Sequence, residues 1–158
     1  MLIARGRNNN DMEYNHTQVG KLISQITVIV SIIFVITLIL DDSALIIIPF
    51  VLFVFIPMSS FFSLNVRVDD KQIRIKFGYG IFSKSFNLNE IEYSKTVRNK
   101  WYYGYGIKFW FFPRMIIFNV SGLDAVEIRM RNGKIFRIGT DDPITLDYVI
   151  KSSIKPTA

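Results

Sequence analysis

The sequence predicts a membrane helical hairpin joined to an α+β, mainly β, domain that ends in one helix. Three observations carry this. Leu22–Leu40 and Ser43–Val66 contain no charged residue, and only Asp41 and Asp42 separate them. From Leu64 the apolar period changes from helix-like to two. A helix-start pattern, Thr140-Asp141-Asp142-Pro143, precedes the last apolar stretch.

Composition narrows the function classes. The 158 residues suffice for a hairpin plus one small domain. There is no cysteine, so disulfides, thiol catalysis and cysteine metal sites are excluded. The single histidine, His16, lies in a polar N-terminal stretch, which argues against a His-dependent triad, metal site or acid–base pair. Net charge is +6. Residues 63–158 hold sixteen of the nineteen Lys and Arg and nine of the thirteen Asp and Glu, a local net of +7. Such a surface favours an anionic partner, and for a tethered domain the nearest is the membrane surface.

Residues 1–21 read as a polar tail or a short interfacial helix. They do not resemble a cleaved signal, because the apolar run is long, lacks a small-x-small site and leads to a second run. The hairpin spans 22–62. Its first span, 22–40, would be about 28 Å long as a helix, against a hydrocarbon core of about 30 Å. Ser24, Gln25, Thr27, Ser31 and Thr37 fit ordinary span composition, or a polar seam for helix pairing. Asp41-Asp42-Ser43 is expected to be a tight turn, with Asp42 or Ser43 capping the second span, 44–62. A kink is expected near Pro49, and the exit from the bilayer near Pro57. Lys and Arg flank the outer ends of both spans and are missing from the turn, so both termini are expected in the cytoplasm of a multi-pass protein.

Residues 63–158 alternate through about seven strands. Leu64, Val66 and Val68, then Ile73, Ile75 and Phe77, form a hairpin with one buried face. Strands follow over Ile81–Phe86 and Asn87–Val97. Lys100–Arg114 holds eight aromatics, including both tryptophans, and its glycines argue against a plain strand. Met115–Ser121, Ala125–Arg131 and Lys134–Ile138 complete the set. Asn132-Gly133 signals a type I′ hairpin turn. A helix over Pro143–Ile154 starts at an Asp142 N-cap, with Leu146, Val149, Ile150 and Ile154 on one face.

Trp101 with Gly104-Tyr105-Gly106-Ile107-Lys108, Ser121-Gly122, Asn132-Gly133-Lys134 and Ile138-Gly139-Thr140-Asp141-Asp142-Pro143 before a terminal helix resembles the pleckstrin-homology-like (PH-like) domain of small bacterial two-span membrane proteins. That resemblance implies a PH-like barrel acting as a binding module, with no assigned activity. It does not carry specific phosphoinositide binding, because the first hairpin loop, Asp69-Asp70-Lys71, is acidic on balance.

Asp141-Asp142 reads as a helix cap rather than a metal or acid–base pair. Gly78-Tyr79-Gly80 and Gly104-Tyr105-Gly106 read as turns, lacking any phosphate-loop context. Aromatics interleaved with cations suit a bilayer interface, so Lys100, Trp101, Tyr102, Tyr103, Tyr105, Lys108, Trp110 and Arg114 are the expected membrane-surface contacts; filling of the barrel core by these rings is the alternative. No catalytic, cofactor or metal residues are expected. The expected function is a non-enzymatic, membrane-anchored scaffold or binding module. Its expected partners are the lipid bilayer and a protein, with homo-oligomers through sheet edges compatible and no nucleic acid expected. The alternative is an immunity-type or accessory membrane protein that protects or regulates another membrane complex through its spans.

Overall fold

The computed structural model describes residues 14–40 and 48–154. The Asp41-Asp42-Ser43 turn, the first residues of the second expected span and residues 155–158 lie outside these. The described chain is a mainly β domain of nine strands in two sheets with a C-terminal helix, plus apolar helices inserted after the first strand.

That first strand, β1 (Tyr14–Val19), corrects the expectation of a tail or interfacial helix at its C-terminal end. It pairs antiparallel with β2 (Ser63–Val68), from Tyr14 opposite Val68 to Val19 opposite Ser63. Tyr14 and Gln18 are buried in alternation with exposed neighbours, so the stretch has a two-residue period that six residues state too briefly to stand out. Its partner lies more than forty residues away, beyond the helices. β3 (Gln72–Phe77) and β4 (Phe82–Asn87) complete a sheet ordered β1-β2-β3-β4.

Helix α1 (Lys21–Leu40) begins two residues after β1 and is long and apolar enough to cross a membrane. None of its residues is buried, although fourteen of the twenty are apolar. Its less exposed positions include Ser24, Thr27, Ser31, Phe34 and Leu38, a stripe at alternating three- and four-residue steps. Ser24, Ser31 and Thr37 donate their hydroxyls to carbonyls one turn back, at Gly20, Thr27 and Ile33. Helix α2 (Ile48–Ser59) runs past Pro57 and passes through a 3₁₀ turn, Ser60–Phe62, into β2. As described it has twelve residues, about 18 Å.

The second sheet has the order β5-β8-β9-β7-β6. Its strands are β5 (Ile91–Arg98), β6 (Gly106–Phe111), β7 (Arg114–Asn119), β8 (Asp124–Met130) and β9 (Ile135–Gly139). β6 is the other strand beyond the seven expected: glycines bracket its start without interrupting it. β7 and β9 pair in parallel; all other neighbours are antiparallel. The β8–β9 connection is a three-residue turn rather than the expected two-residue type I′. Gly133 donates its N–H to the Met130 carbonyl and alone supplies the positive φ of +82°.

The main core lies between the sheets, around Leu64, Val66, Ile73, Ile75, Phe77, Ile128 and Ile138. Helix α3 (Pro143–Ser153) closes it as expected. Asp142 caps the helix by accepting from the Thr145 N–H, and Leu146, Val149 and Ile150 point inward. Asp141 instead faces β1, where it lies 2.5 Å from His16 Nε2.

The Tyr14 hydroxyl is buried beside Thr140, without a well-formed hydrogen bond. Burial, aided by the Asp142 and Asp141 carboxylates, pushes its pKa up to about 12. Because the folded state holds this proton more tightly than the unfolded chain, its stabilising contribution is complete below pH 10 or so. Stability therefore falls as pH rises from about 10 towards 12. Tyr14→Phe should leave stability at neutral pH nearly unchanged, since it deletes a buried hydroxyl that is poorly satisfied. It should also flatten the alkaline limb of a denaturation curve followed by circular dichroism. A variant with an unaltered alkaline limb would show that Tyr14 does not set it.

Candidate functional site

The aromatic stretch 100–114 builds two surfaces rather than one. After β5 the chain crosses the outer face of the second sheet through a 3₁₀ turn, Trp101–Tyr103. Tyr103 is buried there on Met115 and Ile117, with half-buried Trp110 and Ile135 beside them, forming a small second core. The rings stack in sequence: Tyr102 meets Tyr103 edge-on at 5.2 Å, and Tyr103 meets Trp110 at 4.6 Å. Trp101 meets Tyr102 edge-on and is 81% exposed. Tyr103 and, in part, Trp110 are therefore covered on the outer face of the second sheet and do not fill the core between the sheets.

Next to this layer lies the most buried charge cluster described. Glu127 on β8 accepts from the Arg137 guanidinium at 2.8 Å and pairs with Lys95 at 3.1 Å. Burial acts to raise the Glu127 pKa, but hydrogen bonds from Lys95 and Arg137 outweigh it and hold the carboxyl below its ordinary value. The same bond raises the Lys95 ammonium. Arg137 also sits 5.9 Å over the Tyr103 ring, and Lys100 sits 5.6 Å over Tyr102. The cations are thus divided between tying the aromatic layer down and facing solvent.

The eight expected contact residues do not form one patch. Tyr105 and Lys108 share a hollow with Ile23 and Phe61, at the root of α1. Arg114 lies at the opposite end of the β6–β7 hairpin, opposite Phe111, roughly 10 Å along the strand from Lys108 and about 20 Å from Tyr105. Phe109, Phe111 and Phe112 are 69%, 74% and 90% exposed, and the sequence-based selection omitted them. Alternation along β6 gave a usable signal, since Ile107, Phe109 and Phe111 share one face and Lys108 and Trp110 the other. That face could not be ranked without knowing where the first sheet stops covering it.

Around Phe109 and Phe111 an open apolar cleft of about 500 Å³ lies between the β6–β7 tip and the β8–β9 turn. No family model, curated protein or solved structure matches this chain. Among the described residues, no three His, Asp or Glu side chains are grouped to hold a metal ion. Both surfaces present stacked rings, exposed apolar faces and cations.

Proposed function

We propose that this protein is a non-enzymatic, membrane-anchored module. In this reading a two-span hairpin holds a PH-like β domain in the cytoplasm, where it serves as a scaffold or binding domain for a protein partner or the membrane surface. The observation that carries it is the junction. The chain leaves the β domain at Gly20 and returns at Phe62, and the Gly20 N–H donates to the Phe62 carbonyl at 2.6 Å. Excursion and return share one point, which suits a hairpin crossing a bilayer twice. A Cβ at Gly20 would lie 3.0–3.2 Å from the carbonyl oxygens of Val120, Phe61 and Phe62, so the close approach favours glycine.

Two further features support the reading. The half-covered stripe of α1 has a counterpart in α2 at Ile48, Val51, Phe55 and Ser59, the spacing of helices that face each other. Small Ser24, Thr27 and Ser31 on that stripe permit close packing, with the hydroxyls of Ser24 and Ser31 bonded back to their own helix. Strands followed by a C-terminal helix support the PH-like reading, to which β1, β6 and the parallel β7–β9 pair are additions. Tyr105 and Lys108, beside the root of α1, are the members of the aromatic stretch best placed for the bilayer interface.

Because the chain has no cysteine, topology can be read from single introduced thiols. In intact cells, Asp42→Cys should react with a membrane-impermeant maleimide. Ser152→Cys in α3 should react only after permeabilisation. Equal labelling of the two from the same side would overturn the two-span arrangement.

A further inference from the structure

The parallel pairing of β7 and β9 places Met115 opposite Ile135 and Ile116 opposite Phe136. The preceding residues, Arg114 and Lys134, therefore enter the sheet side by side, on strands spaced about 4.8 Å apart. By alternation both belong to the face of Ile116 and Phe136. The antiparallel register of β6 adds Phe109 opposite Ile116 and Phe111 opposite Arg114 to that face. These residues line the 500 Å³ cleft, within the roughly 300–1,000 Å³ range of small-ligand pockets. No acidic residue lines it. Arg114 and Lys134 are exposed, and neither has a carboxylate partner among the described residues.

Like charges on adjacent strands repel, and exposed Phe109 and Phe111 beside them leave a large apolar surface in water. One ligand chemistry relieves both: an anion between the cations, joined to an apolar tail. We propose that this cleft binds a single-chain anionic amphiphile. Its carboxylate or phosphate would lie between the Arg114 guanidinium and the Lys134 ammonium, and its chain along Phe109, Phe111 and Phe136. This goes beyond the membrane-anchored reading and does not depend on the number of spans, which thiol labelling tests separately.

Trp110 borders the same cleft, and Trp101→Phe makes it the sole tryptophan. The full chain carrying Trp101→Phe, in phosphatidylcholine nanodiscs, is titrated with dodecyl phosphate while Trp110 emission is followed. A saturable change is expected. Adding Arg114→Gln and Lys134→Gln should raise half-saturation tenfold or more, with unchanged circular dichroism as the folding control. Dodecyl maltoside should bind at least tenfold more weakly, and inorganic phosphate alone should leave the emission unmoved. The proposal fails if no saturable change appears or if the double Gln variant titrates like its parent. It also fails if only double-chain phosphatidylglycerol in the disc produces the change, which would mark a bilayer contact instead.

Discussion

Replacing residues 20–62 by an Asn-Gly turn should yield a soluble, cooperatively folding β domain, whereas residues 63–158 alone should aggregate or unfold far more easily. Val19 and Ser63 are directly opposed at the end of the β1–β2 ladder, so a two-residue turn can bridge them. Cutting at residue 63 instead discards β1. It exposes the whole edge of β2, a strand whose Leu64, Val66 and Val68 are buried, as an unprotected pairing edge. It also removes the Gln18 side-chain bond to the Ser121 carbonyl and the His16–Asp141 pair, which tie the first sheet to the second sheet and to α3. Loss of Tyr14 burial alone should cost about 2 kcal/mol. Size-exclusion chromatography and thermal unfolding of the two proteins decide the matter. A monomeric 63–158 fragment with an equal melting temperature would show that β1 is dispensable.

Glu127→Ala should destabilise the domain by about 3–5 kcal/mol, the range for breaking a buried ion pair by removing one partner. The Glu127 side chain is 6% exposed and Arg137 15%. Without the carboxylate, Arg137 keeps a single long bond, to Asn99 Oδ1 at 3.4 Å, and its place over Tyr103. Replacing the pair together, Glu127→Met with Arg137→Leu, should recover most of the loss, because no charge is then left buried alone. The depressed pKa gives the sign of the acid response. The folded state releases this proton more readily than the unfolded chain, so the contribution is complete above the ordinary glutamate value of about 4.3. It is lost as pH falls through the lower folded value. Glu127→Gln should accordingly be less stable at neutral pH and show a shallower acid limb in urea titrations at stepped pH. An unchanged midpoint for Glu127→Ala would rule out the cluster as a stability determinant.

Features governed by neighbours in sequence were legible before the structure. A long uncharged run announces α1, because a helix satisfies its own backbone wherever it is placed. The Asp142-Pro143 start of α3 and its inward face follow from cap chemistry and a 3.6-residue period. Alternation located the β2–β3 hairpin and β8–β9 for the same reason. The candidate site was legible in composition and in the alternation along β6: the density of rings and cations over 100–114 was visible, but not which rings were covered.

The remainder depended on partners distant in the chain. β1 is a strand because β2 offers its edge there, and six mixed residues do not encode that partner. Tyr103 is buried and Trp101 exposed because the outer face of the second sheet meets one ring and not the other. Arg114 and Lys134 became neighbours only through a parallel register between strands twenty residues apart, which no local pattern records. Short-range periodicity is enough to specify the apolar helix, the strand-rich domain and its terminal cap. Tertiary structure decided which edges pair and which cations meet, since those depend on long-range contacts that form only when the sheets close.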